Sequence, residues 1–84
     1  MGRILTIEEA FGAVLRRLRK EFNLSQEKIA QDSGLDRSFV SNIEGGKQQP
    51  SLVSVFSIAK ALNVFPSLIL KEVSVFRLGI CIVL

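Results

Sequence analysis

Gly34 and Asp36 stand one residue apart, and this spacing restricts the chain more than any other feature. Glycine readily ends a helix in the left-handed conformation, and aspartate is favoured at the start of the next one. A helix from about Gln26 to Asp32, capped by Ser25 and stopped by Gly34, is therefore followed almost at once by another from Asp36 through Glu44. Two short helices joined by about three residues must cross steeply. Leu24, Ile29, Leu35, Val40 and Ile43 supply their shared core, while Ala30 and Gly34, four apart, are small enough for close helix contact and for the turn.

The flanking segments continue the pattern. Thr6 followed by Glu9 fits a capping box, and Ile7, Phe11, Val14, Leu15, Leu18 and Phe22 then recur at spacings of three and four, predicting a first helix over about residues 7–22. Its other face carries Arg16, Arg17, Arg19 and Lys20, for which a solvated helix surface is the plain alternative to a binding role. Gly45 and Gly46 end the third helix, Pro50 forbids a helical Gln49, and Ser51 caps a fourth helix to about Leu62 with Leu52, Val55, Ile58, Ala59 and Leu62 turned inward. Asn63 suits a left-handed terminus, and Pro66 suits the first turn of a brief fifth helix ending near Lys71. The expectation is an all-α domain of five helices.

Composition narrows the function. With 84 residues there is room for one core and no cleft between domains. No histidine and a single cysteine exclude the usual zinc sites and the Cys/His and Ser/His/Asp nucleophile systems, and no paired carboxylates or phosphate-cradling loop appears, so no enzyme, metal or cofactor is expected. Eleven Lys and Arg against eight Asp and Glu give +3, which mildly favours a polyanionic partner. Cys81 alone forms no intramolecular disulfide, and Glu8 and Glu9 interrupt any signal-peptide pattern, so the cytoplasm is the expected compartment. Val73–Leu84 is apolar but only twelve residues long, against the roughly 20 that span a bilayer, so a membrane partner is not expected.

The second and third helices with their glycine turn form a helix-turn-helix over about residues 25–44, in which the second helix can enter a major groove; an ordinary helical hairpin is the alternative. The run Leu24-Ser25-Gln26-Glu27-Lys28-Ile29-Ala30, then Gly34 through Lys47 with Asn42-Ile43-Glu44-Gly45-Gly46 at its end, then Pro50-Ser51-Leu52 and Ile58-Ala59-Lys60-Ala61-Leu62, resembles the lambda-repressor/Cro-like (Xre-type) helix-turn-helix family. The likeness covers about residues 8–71, and Gly34–Glu44 is also similar to the recognition segment of restriction-modification controller proteins. It implies a five-helix domain that binds double-stranded DNA, commonly as a homodimer on a palindromic operator.

Carried over position by position, the resemblance implies that Gln26 donates to a phosphate at the start of the second helix, with Ser25 as the cap. Arg37, Ser38 and Asn42, on the exposed side of the recognition helix, are the base-reading candidates. Arginine can grip guanine O6 and N7, and asparagine adenine N6 and N7. Asp36 is read as an N-cap before a cytosine acceptor. Phe39 either touches sugar or a thymine methyl or leans on the core. Ser41, Lys47 and Gln48, with Arg17 or Lys20 of the first helix, are expected at phosphates. Glu44 sits poorly beside DNA and is expected to fix a neighbouring basic side chain or the glycine loop.

Residues 1–71 are thus read as the DNA-binding domain and 72–84 as an apolar tail that departs from the family's minimal domain. Its β-branched residues suggest an extended strand, with Ser74, Phe76, Leu78, Ile80, Ile82 and Leu84 on one face. A lone strand in a helical chain needs a partner, so the expected dimer surface combines Phe76, Leu78, Ile80 and Ile82 with Val53 and Phe56, which lie off the main stripe of the fourth helix. A sixth helix, or a piece of a longer chain, are the alternatives. The expected function is a sequence-specific transcriptional regulator without a small-molecule ligand; the other reading is an antitoxin or adaptor that holds a partner protein with the tail.

Overall fold

The computed structural model describes residues 5–78, which form five helices in the order α1 (Ile7–Glu21), α2 (Gln26–Ser33), α3 (Arg37–Glu44), α4 (Leu52–Leu62) and α5 (Pro66–Leu78). The boundaries follow the punctuation. The Thr6 hydroxyl accepts from the Glu9 backbone N–H at 3.0 Å while the Glu9 carboxylate accepts from the Thr6 N–H at 3.0 Å, closing the capping box. Ser25 and Ser51 cap α2 and α4 by accepting from the N–H groups of Lys28 (3.0 Å) and Ser54 (3.1 Å). Asp36 has the extended backbone of an N-cap, but its carboxylate accepts no hydrogen bond from α3. Gly34 (φ +78°) and Asn63 (φ +61°) terminate α2 and α4 in the left-handed region.

Packing buries one apolar cluster, with Val14, Leu15, Ile29, Val40, Ile43, Ile58 and Ile69 at its centre. Helix α1 lies against α3 and α5, α2 lies against α3 and α4, and α4 also meets α5. The α2–α3 pair is therefore held from both sides, leaving the outer face of α3 to solvent.

Three expectations change here. A methyl group at Gly34 would meet nothing within 4 Å, so this glycine serves the turn through its φ alone; the close helix approach is at Gly12, where a Cβ would stand 2.3 Å from the Ile43 carbonyl oxygen. Leu52, expected inward, is 70% exposed, because it is the first residue of α4 and its side chain overhangs the helix end. Ile7 and Phe22, at the ends of α1, are exposed for the same kind of reason. Finally, α5 runs through Leu78, so the stretch 73–78 is helical rather than a strand or the start of a sixth helix. Val73 lies four residues after Ile69, and both are buried, while Glu72 pairs with Arg17 of α1. Tertiary packing thus overrides the β preference of these side chains. The side chain of Leu78, and Ile80, Ile82 and Leu84, lie outside the described residues. Among the described residues no single helix is long and apolar enough to cross a membrane.

Candidate nucleic-acid interface

Burying Val40 and Ile43 turns the opposite side of α3 outward, and Arg37, Ser38, Ser41 and Asn42 are all exposed there. Gln26, the first residue of α2, joins Arg37, Ser38 and Ser41 in lining one open groove. Four of the residues singled out from the sequence are therefore side by side. Asn42, one turn beyond Ser38, donates from Nδ2 to Gln48 Oε1 at 3.4 Å, which links the helix to the loop after it. That loop turns back through the Lys47 N–H, which donates to the Asn42 carbonyl at 2.9 Å, and through Gly46 at φ +72°. Lys47 and Gln48 are exposed at this end of α3.

Phe39 is partly buried and packs against the core cluster, as Leu24 and Leu35 also do. Arg17 is half-exposed and ion-paired. Its guanidinium pairs with Glu72 of α5 and, at 3.8 Å, with Glu21, on the side of α1 that meets α5. Arg19, two positions on, points roughly 200° away around the helix and faces α3. Lys20 lies with Arg16 on the wall of a second groove, opposite Gly45, Gly46 and Phe76. Among the described residues neither of these two cations has an ion-pair partner.

Glu44 does fix a basic side chain. Arg19 donates from Nε to Glu44 Oε2 at 2.6 Å and from its NH2 nitrogen to Oε1 at 3.1 Å, while its NH1 nitrogen donates to the Leu24 carbonyl at 2.9 Å. The side chains are 12% and 5% exposed, so the pair is largely removed from water. Gln26 Nε2 also donates to Glu44 Oε1, at 3.0 Å. One carboxylate thereby ties the end of α1, the end of α3 and the start of α2. A carboxylate at a helix C-terminus opposes the helix dipole, and a guanidinium in two-point contact offsets that cost. Nothing local in the sequence marks Arg19 out from its basic neighbours; the available signal is that Arg19 follows buried Leu15 by four and Glu44 follows buried Val40 by four, which puts both at the edge of an apolar stripe.

A helix-turn-helix family model matches residues 15–68, which takes in α2, α3 and α4 with the C-terminal part of α1 and the first residues of α5. The control protein C.MunI of a Mycoplasma species is 40% identical over 68 residues, covering 80% of this chain and 92% of that protein. Among solved structures, the restriction-modification controller protein C.AhdI from Aeromonas hydrophila superposes with a TM-score of 0.70 at 42% identity, covering 79% of this chain and 94% of its own. The controller protein C.Esp1396I, solved as a tetramer in complex with its natural 35 base-pair operator, gives a TM-score of 0.80 at 26% identity over 88% of this chain and 97% of its own. The chain belongs to the helix-turn-helix family of DNA-binding transcriptional regulators, Xre-like proteins related to lambda repressor and Cro, and not to a family of enzymes.

Proposed function

We propose that this regulator binds an inverted-repeat operator as a homodimer, with α3 of each subunit in a major groove. The observation that carries the reading is the groove shared by Gln26, Arg37, Ser38 and Ser41 on the outer side of the helix-turn-helix. Arg37, Ser38 and Asn42 read base edges; Arg37 supplies the strongest discrimination because its guanidinium matches guanine O6 and N7. Gln26, with the free N–H groups of the first turn of α2, and Ser41 hold phosphates beside the groove. Lys47 and Gln48 extend the track along the backbone at the far end of α3, and Lys20 extends it from α1. The controller solved on its operator supports both the DNA partner and the oligomer.

The dimer surface is the outer side of α4. Val53 is 76% exposed and Phe56 56% exposed, and with Leu52 they make an apolar patch on a helix whose opposite side is already buried in the core. Such a patch is costly to leave in water and matches itself across a two-fold axis. Phe76, exposed on α5, belongs to the same proposal as a helical contact. Regulation then follows protein concentration through dimerisation, with no small-molecule ligand. The phosphate track is tested by titrating a mixed-sequence duplex at several salt concentrations. Affinity is expected to fall steeply with salt, and Lys47→Ala to reduce the slope by about 1. No binding at low salt, or a slope unmoved by that substitution, contradicts the interface.

A further inference from the structure

We propose that Glu44 is a positioning residue for DNA binding: by accepting from Gln26 Nε2, it presets the Gln26 amide as a phosphate donor. The inference rests on the DNA-binding reading above and assigns a role to a residue which that reading leaves out. Glu44 would ordinarily be a liability in this place, since it puts negative charge at the end of the recognition helix. Its side chain is nonetheless only 5% exposed, and both carboxylate oxygens accept hydrogen bonds.

The physical reason lies in what each group can do. The end of a glutamine side chain has one oxygen that only accepts and one nitrogen with two N–H donors, and the two are nearly equal in shape. Facing a phosphate, the oxygen repels and the nitrogen attracts, so a freely turning amide is a weak ligand. A carboxylate held by a guanidinium only accepts, so it selects the amide nitrogen and rejects the oxygen. At 3.0 Å from Glu44 Oε1, Gln26 Nε2 spends one N–H on the carboxylate and keeps the second for an outside acceptor. Arg19 makes the selection rigid. Its two contacts fix the plane of the carboxylate, and its third, to the Leu24 carbonyl, fixes the chain two residues ahead of Gln26. Preorganisation of this kind raises affinity by removing an ordering cost that binding would otherwise carry.

The test is a double-mutant cycle with Glu44→Gln and Gln26→Ala on a duplex selected by the parent protein, read by fluorescence anisotropy at about 150 mM salt. Glutamine at position 44 presents a donor as well as an acceptor, so it no longer selects one orientation of Gln26. Glu44→Gln is expected to weaken binding about tenfold, the worth of one charge-assisted bond, even though it removes a negative charge close to DNA. In the Gln26→Ala background the same change should cost about twofold or less, since no amide remains to be oriented. Equal losses in both backgrounds, tighter binding by the Glu44→Gln single variant, or no loss from Gln26→Ala alone would each overturn the role. A second measurement needs neither DNA nor a variant: in the free protein the Gln26 side-chain amide should show slowed hydrogen exchange and two well-separated proton resonances, unlike exposed Gln31 and Gln49. An amide at Gln26 indistinguishable from those two also overturns it. A parent protein that binds no duplex, with a restrained Gln26, removes the DNA-binding reading itself and the role with it.

Discussion

Gly12→Ala separates local from tertiary physics in this chain. Position 12 is in the middle of α1, where alanine is favoured over glycine by about 1 kcal/mol on helix propensity alone. In the structure, however, a Cβ at this site stands 2.3 Å from the Ile43 carbonyl oxygen, 2.7 Å from that of Glu44 and 2.9 Å from the Glu44 carbonyl carbon. A relaxed carbon–oxygen contact needs about 3.3 Å. The end of α3 therefore has to withdraw by about 1 Å, and the obstacle is backbone, which has no rotamer to change. Overpacking of this kind costs about 1–3 kcal/mol. The same withdrawal stretches the Arg19–Glu44 contacts, now at 2.6 and 3.1 Å, and weakening one charged hydrogen bond costs about 1.5–3 kcal/mol. After the propensity gain, the net loss is about 1.5–5 kcal/mol, which lowers the melting temperature by at least about 6 °C in a domain of this size. Thermal and urea unfolding followed by circular dichroism at 222 nm measure it directly. A variant as stable as the parent, or more stable by about 1 kcal/mol, would show that α1 and α3 do not meet backbone to backbone.

Phe39→Ala should destabilise the fold by about 1–2 kcal/mol, less than a fully buried phenylalanine because Phe39 is only partly covered, while leaving the preferred base sequence unchanged. A changed preference at full stability would return Phe39 to the DNA side. Phe56→Asp places a charge in the proposed dimer surface without touching the core; sedimentation should shift from dimer to monomer at micromolar concentration with helicity retained. A parent that is already monomeric, or a variant that still dimerises, contradicts the surface on α4.

Local rules carried most of the fold. The capping box at Thr6 and Glu9, the serine caps, and the left-handed Gly34 and Asn63 depend on a few neighbouring residues, and each stands where those neighbours require. Leu52 escaped because helical periodicity does not tell where the partner helix ends. The stretch 73–78 escaped because its β-branched composition is a weak preference, whereas the Ile69–Val73 spacing and the Glu72–Arg17 pair against α1 decide the outcome. The candidate site shows the same division. Arg37, Ser38, Ser41 and Asn42 were legible from one helix face. Glu44's need for a basic partner was legible too, but Arg19 and Gln26 as its partners were not, since they are 25 and 18 residues away and meet it only after three helices have packed. Arg17 and Arg19, near-identical in sequence context, lie on opposite sides of α1 because two positions turn a helix by about 200°, and there they meet acidic groups on α5 and α3 respectively.

Whether α3 reads DNA is decided by parallel selection of binding sites from a randomised duplex pool by the parent and by Arg37→Ala, at about 150 mM salt so that non-specific phosphate attraction is already weakened. The parent should enrich an inverted repeat whose half-sites are centred about one helical turn, roughly 34 Å, apart. In the variant, preference should relax at one base pair in each half-site, with affinity lower by about 1–3 kcal/mol. No enrichment by folded parent protein, or an identical preferred sequence with and without the Arg37 guanidinium, would contradict the claim that α3 reads DNA.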